Sequence, residues 1–358
     1  MPYKITHFLE GGSIAKIFDN IKKVPIASIK VAIFIYDTRV PPLDIFQKFK
    51  PYKFKDSNFK TSYEDDENIL IEFNVIKNGG PKYDDGTQIF LQILKKQPLA
   101  ILVTNADSIY FEQIKQFFNK FYPFLSRIFL RSEDIKNLLN NVKGKSDYNI
   151  VVKNYVLKRY YVKKKIESTW EVIDYLDLFK KASQEFVWVD GIYIHLTKKI
   201  GEKDEIFGKV RVSRSGVLKY SRTDYTMIYT LFLKYILSEY MEKFGQVIMK
   251  KGRSLDNIEP HPVRFILNEE IFKDSKDAVQ VTTLIKDRLR NWGYSILSQE
   301  GGLLYLTMHD YVSGGSYDLI ITSVSEILII PQTQVTSLSF NRILMFLTET
   351  YDGVVEDA

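Results

Sequence analysis

The chain reads as an α+β protein of three successive units, each an antiparallel sheet with its helices on one face. Two observations predict this. The same order of elements (a strand, a helix, hairpin strands, then a long amphipathic helix) recurs over residues 26–142, 146–258 and 261–353, with no fixed-spacing sequence repeat. Within each unit the strands are joined by tight-turn signals such as Gly301-Gly302, which suit hairpins and not the crossovers of a parallel sheet. The domains expected are 1–142, 143–259 and 260–358.

In the first unit, residues 28–37 place Ile29, Val31, Ile33 and Ile35 on one face at period two, and the other face is also mostly apolar. That pattern predicts an interior strand. Pro41 and Pro42 suit the first turn of a short helix. Residues 51–68 are polar without a period and read as a surface loop. Strands are expected at 69–77, 88–95 and 99–104, then a helix from about Asp107 with Phe111, Ile114 and Phe118 at helical spacing.

The second unit opens with a basic strand at 149–165. Ser168 and Glu171 have capping-box spacing and predict a helix over 168–186. Two strand segments follow at 187–196 and 208–221, the second turning at Arg214-Ser215-Gly216. A long helix is expected from about Asp224, with Ile228, Leu231, Phe232, Tyr235 and Ile236 on one stripe and a stop at Gly245 or Gly252. The third unit repeats the order. A strand at 261–267 precedes a helix over 275–293, hairpins turn near Gly301-Gly302 and within 317–331, and a final helix ends at Gly353.

The absence of cysteine excludes a disulfide scaffold and thiolate metal sites, and it favours a reducing compartment. No signal-peptide core or membrane-length apolar run occurs, so a cytoplasmic chain without membrane contact is expected. The net charge of +6 is unevenly spread. Residues 1–142 carry 20 Lys/Arg against 16 Asp/Glu, residues 143–259 carry 23 against 15, and residues 260–358 carry 7 against 13. A basic middle beside an acidic end fits an anionic partner for the middle, or two patches that meet across an interface.

Enzymatic motifs are missing. Gly201 to Gly208-Lys209 has six intervening residues where a phosphate loop needs four, and Val210 follows in place of Ser or Thr. His7, His195, His261 and His309 lack metal-helix spacing, so neither metal nor cofactor is expected. Asp37 ends an apolar strand, where nucleases often keep a metal ligand, but no second carboxylate accompanies it. Tyr83-Asp84-Asp85 lies among Gly and Asn and reads as a turn.

The basic strands of the second unit say more. If Ile192, Ile194, Leu196, Val210, Val212, Leu218 and Tyr220 face the helices, strand parity puts Tyr193, His195, Lys209, Arg211, Ser213 and Lys219 on the open face. The same parity adds Lys153, Tyr155, Arg159, Tyr161 and Lys163 from the first strand. Cations interleaved with aromatics suit phosphate contact and base stacking. They equally suit a solvated strand face, where long side chains cover apolar surface and keep their tips wet.

Asn149-Ile150-Val151, Leu176-Asp177-Leu178, Gly191 to Ile194, Val212 to Gly216 and Lys243-Phe244-Gly245 together resemble the motifs of one half of a TATA-box-binding protein. The resemblance covers about residues 146–245 and implies three units of that fold type. It also implies DNA contact, with Asn149 at a base-reading position. Ser213 stands where the family has a phenylalanine that wedges into DNA, so kinking by an apolar wedge is not expected there.

The expected function is non-enzymatic binding of DNA or RNA through Asn149, Lys153, Arg159, Tyr193, Lys209, Arg211 and Lys219. One alternative is a protein-interaction or assembly subunit of a nucleic-acid-processing complex, with Leu303 and Tyr305 at an interface. Another is a divergent metal-dependent nuclease using Asp37.

Overall fold

The computed structural model describes residues 29–36, 40–47, 52–54, 57–64, 68–75, 88–94, 99–104, 108–118, 121, 124–159, 165–169, 172–185, 187–223, 225–240, 262–332, 335–351 and 353–357. The chain divides into two compact units, Met1–Glu239 and Tyr240–Ala358. Every strand pairing described is antiparallel, and helices accompany both sheets, as an α+β chain requires.

The first compact unit is built on one twelve-stranded sheet. Its N-terminal half contains β1 (Ile29–Tyr36), β2 (Tyr52–Phe54), β3 (Ser57–Glu64), β4 (Asn68–Val75), β5 (Gln88–Leu94), β6 (Leu99–Thr104) and β7 (Leu125–Arg127). Its C-terminal half contains β8 (Asn149–Arg159), β9 (Lys165–Thr169), β10 (Val187–Ile200), β11 (Lys203–Ser213) and β12 (Val217–Ser221). The strand order is β2-β3-β4-β5-β6-β1-β12-β11-β10-β8-β9, with β7 also pairing β1.

Where the sequence suggests a domain boundary at residue 142, the backbone runs on as one ladder. Ile29, Lys30, Val31 and Ala32 of β1 pair with Tyr220, Lys219, Leu218 and Val217 of β12. The reason lies in β1 itself. It is buried at all eight positions, so it can serve as an interior strand between two halves.

The helices of those halves lie on opposite faces of the shared sheet. Helix α1 (Pro42–Gln47) and α2 (Ser108–Phe118) pack on the side of Ala32, Phe34 and Tyr36. There the Phe34 and Phe118 rings are 5.5 Å apart, and Lys30 Nζ stands 5.7 Å from the Phe111 ring centre. Cross-strand partners share a face. Lys30 pairs with Lys219, Lys219 with Arg211, and Arg211 with Tyr193, so these four belong to the side that carries α2.

The second half covers the other side, with α3 (Ser132–Lys145), α4 (Tyr175–Gln184), α5 (Tyr225–Ile228), a π-helical stretch (Tyr229–Leu233) and α6 (Lys234–Tyr240). Lys181 of α4 sits 6.0 Å from the ring of fully buried Tyr155, and Tyr155 pairs with Ile192. The Tyr175 hydroxyl on α4 donates to Asn140 of α3, and Asn141 donates to the Leu231 carbonyl, tying this layer together. The expectation of helices on one face therefore holds within each half and fails for the sheet they share.

Several local expectations change too. Residues 51–68 contain β2 and β3, because alternating Tyr, Phe and Thr find partners in a meander with β4. Ser168 lies in β9 opposite Val156, and α4 starts later, where Asp174 accepts from the Leu176 N–H at 2.8 Å. β-Branched Ile173 is drawn into a bridge with Val152, which delays the helix. Helix α3 was not anticipated. The expected stops at Gly245 and Gly252, and both Asp37 and Tyr83-Asp84-Asp85, lie outside the described residues.

The second compact unit is a six-stranded sheet of order β14-β15-β16-β17-β13-β18. Its strands are β13 (Val263–Leu267), β14 (Trp292–Glu300), β15 (Leu303–Asp310), β16 (Ser316–Ser323), β17 (Glu326–Pro331) and β18 (Gly353–Asp357). Helices α7 (Ser275–Arg288) and α8 (Ser337–Tyr351) cover one face, with Tyr317 stacked between Trp292 and Phe340. The helix expected to reach Gly293 ends at Arg288, and Asn291 takes a left-handed φ of 67° before Trp292 opens the next strand. Gly353 does not simply stop α8. It begins β18, where an added Cβ would lie 2.4 Å from the Ile266 carbonyl oxygen.

The three segments expected as units also pair differently. The opening strand joins the last strand of its meander in two of them, β1 with β6 and β13 with β17. In the middle copy β8 joins β10, the first strand of its meander, which leaves β12 free to take β1.

Candidate nucleic-acid interface

The open side of β8, β10, β11 and β12 collects most of the residues chosen from parity. Tyr193 pairs with Arg211 and His195 with Lys209, while Arg211 continues to Lys219 and Lys209 to Ser221. Arg211 is exposed, and Tyr193, His195, Lys209 and Lys219 are half-buried. On the other side Ile192, Ile194, Leu196, Val210, Val212, Leu218 and Tyr220 are all buried, as the alternation requires.

β8 departs from simple alternation. Tyr193 pairs with Asn154 and Ile194 with Val152, so Lys153 is the extra residue of a β-bulge. The bulge brings Lys153 to His195, whose imidazole feels its charge. It also reverses the parity beyond, and Tyr155 goes to the covered face with no exposed surface. The reading that placed Tyr155 beside Lys153 on the open face is corrected by this one inserted residue.

Two chosen residues lie at the ends of β8, away from the cluster. Asn149 is exposed opposite Thr197, and its Oδ1 accepts from Lys143 Nζ of α3 at 3.1 Å. Arg159 pairs with Val187, six positions along β10 from Tyr193. Tyr161 and Lys163 lie outside the described residues.

Arg222 joins the cluster unannounced. It follows β12 with φ of 57°, and its charge acts on both Tyr193 and His195. Strand parity after Lys219 and Ser221 would send position 222 to the covered face, and no sequence signal marks an arginine for a left-handed turn. Among the described residues, Lys153, Lys209, Arg211 and Arg222 have no carboxylate partner. Lys158 and Lys198, elsewhere on the same strands, pair with Asp190 at 2.9 Å and Asp147 at 3.4 Å.

These cations shape the chemistry of His195. Burial, then Lys209, Lys153 and Arg222, lower its pKa below the ordinary 6.5, so the ring is neutral at physiological pH. Its Nδ1 is buried without a hydrogen-bond partner among the described residues, and its ring meets Tyr193 edge-on at 5.4 Å. Burial raises the Tyr193 phenol above 10, against the opposing pull of Arg222. The face thus offers cations that lack carboxylate partners among the described residues, set around two uncharged rings.

Two boundaries frame this face. On one side the sheet continues into β1, where Lys30 is only 2% exposed beneath α2. At one end the β11–β12 turn is fastened down. Arg214 is 1% exposed between Trp188 and Phe129, its guanidinium 4.5 and 4.8 Å from their rings, and its Nε donates to the Leu130 carbonyl. The Leu130 N–H donates to the Arg214 carbonyl at 2.7 Å. Ser213 Oγ is within hydrogen-bond distance of Ser215 and Val217.

The open face of the second compact unit differs. Leu303 is 51% exposed, Ile266, Ile320, Leu328 and Ile330 are half-buried, and Asp318 pairs across the sheet with Ile330. Asp318 accepts from Thr307 at 2.7 Å, Gln332 at 2.7 Å and Tyr305 at 3.0 Å. That last bond is the main reason the Tyr305 phenol is held above its ordinary pKa of 10.

Among the described residues no group of His, Asp and Glu is placed to hold a metal ion, and no helix is long and apolar enough to cross a membrane. No family model matches this chain, and no curated protein matches it.

Proposed function

We propose that this is a non-enzymatic nucleic-acid-binding protein whose contact surface is the open face of β8, β10, β11 and β12. The observation that carries this reading is the group Lys153, Lys209, Arg211 and Arg222, gathered around Tyr193 and His195 without carboxylate partners among the described residues. Charges without carboxylate partners among the described residues suit a polyanion, which releases counterions as it binds. Lys219 continues the basic row toward β1, and Asn149 lies at the start of β8, whereas the Lys153 bulge gives Arg159 the register of covered Tyr155 and takes it out of the row.

The test is fluorescence anisotropy with labelled oligonucleotides at low salt, using the full chain and the variant K153E/K209E/R211E. Binding by the parent chain with a steep negative salt slope, lost in the variant, is the expected outcome. Unchanged binding by the variant overturns the reading.

A second reading rests on the other sheet. Half-exposed Ile266, Ile320, Leu328 and Ile330, with exposed Leu303, suit a protein partner in a larger nucleic-acid-processing assembly. The two readings are compatible, since they use different faces.

A further inference from the structure

We infer that the basic face accepts single-stranded nucleic acid, with bases stacked on Tyr193 and His195, and discriminates against duplex. This inference rests on the nucleic-acid reading above and narrows it to one class of ligand.

The first argument is width. The open face spans β8, β10, β11 and β12, with β9 alongside part of β8, and stops at β1 because Phe111 of α2 stands over Lys30 on that same side. Three inter-strand spacings of about 4.8 Å make it at least about 14 Å across before β9 and side chains are added. A duplex major groove of about 12 Å admits a helix or a two-stranded ribbon, not four strands bounded by a helix.

The second argument is the lack of a wedge. Sheets that bind a minor groove insert apolar side chains between base steps. The turn at the end of this face offers Ser213 and Ser215 hydrogen-bonded to each other, and Arg214 is buried between Trp188 and Phe129. Nothing apolar projects from that turn into a base stack.

The third argument is positive. Tyr193 and His195 are two residues apart on β10, an inner strand of the face, so both rings rise from the same side. His195 is kept uncharged by burial and by Lys209, Lys153 and Arg222, so it offers a ring face and not another cation. Lys153 comes from β8 on one flank, Lys209 and Arg211 from β11 on the other, and Arg222 from beyond β12. Aromatic rings on an inner strand with cations along both flanks suit unpaired bases and the backbone phosphates beside them.

The experiment compares a 20-nucleotide oligo-dT, an oligo-U of equal length, and a mixed-sequence duplex of equal length in competition anisotropy at fixed salt. It uses the full chain and its Tyr193→Ala, Tyr193→Phe and His195→Ala variants. The expected result is at least tenfold preference for single strands. Tyr193→Ala should weaken single-strand binding about tenfold, as loss of one base stack implies, with the salt slope unchanged. Tyr193→Phe should retain affinity, which separates stacking from any structural loss. Equal or tighter binding of duplex overturns the inference, as does equal loss on duplex and single strand in Tyr193→Ala. Binding of neither polymer by the parent chain overturns the nucleic-acid reading beneath it. DNA versus RNA preference follows from the oligo-dT and oligo-U arms.

Discussion

The two open sheet faces of this chain are built on the same alternation and carry opposite chemistry. On β10 and β11 the outward positions hold Tyr193, His195, Lys209 and Arg211, with cations that lack carboxylate partners among the described residues. On β15 to β17 the outward positions hold Tyr305, Thr307, Ile320 and Leu328 with two carboxylates, Asp318, which accepts from three donors, and Glu326, which accepts from Thr322. One face keeps its charge available and the other consumes it internally. The difference teaches that a polar residue on an open sheet points to a ligand only when its hydrogen bonds and charge are unspent.

The largest expected effect comes from removing what anchors the turn beside the basic face. Arg214→Ala loses two ring contacts and the bond to Leu130, and should destabilise the first compact unit by about 3 kcal/mol. Urea unfolding checks this, and Arg214→Met should recover part of the loss through packing. Close behind stands K153E/K209E/R211E. It should cost at least about 100-fold in oligonucleotide affinity, roughly 2.7 kcal/mol, with folding intact by circular dichroism. Glutamate at Tyr305 and Leu328 on the other face should leave affinity unchanged; an equal loss there would erase the contrast.

Next comes Asp318→Ala, which strands three donors and should cost about 1–3 kcal/mol in the second compact unit, read by urea midpoint. Oligonucleotide affinity should not move. The smallest effect concerns pH. Because the folded pKa of His195 is lowered, the unfolded chain binds more protons, so stability falls as pH drops through the ordinary value of 6.5. A bound polyanion offsets Lys209, Lys153 and Arg222 and raises that pKa, so affinity should rise as pH falls, by less than about tenfold. His195→Gln should flatten that part of the profile, and an identical profile in the variant would show that the imidazole plays no part.

Much of the fold was legible in residue periodicity. The outward and inward residues of β10, β11 and β12 follow simple alternation, and β1, apolar at every position but Lys30, announces an interior strand. What escaped depends on single backbone events. The bulge at Lys153 turned Tyr155 inward, and the positive φ of Arg222 turned its side chain toward the cluster. Neither event has a composition signature, because each is decided by how neighbouring strands come into register. The change of helix layer between the two halves escaped for a similar reason. Each half has a sound pattern of its own, and only the pairing of Lys30 with Lys219 fixes their relative sense.

That pairing also bears on how the chain can be divided. Cut between its two halves, just before α3, the gene would yield two pieces, one with apolar β1 and one with short β12 stripped of its neighbour, each a strand edge open to pairing. Each edge is the other's natural partner, so the pieces should clump when produced separately and co-purify when produced together. That junction is thus a place for split-protein complementation, and a cut near 240 is the one suited to independent expression.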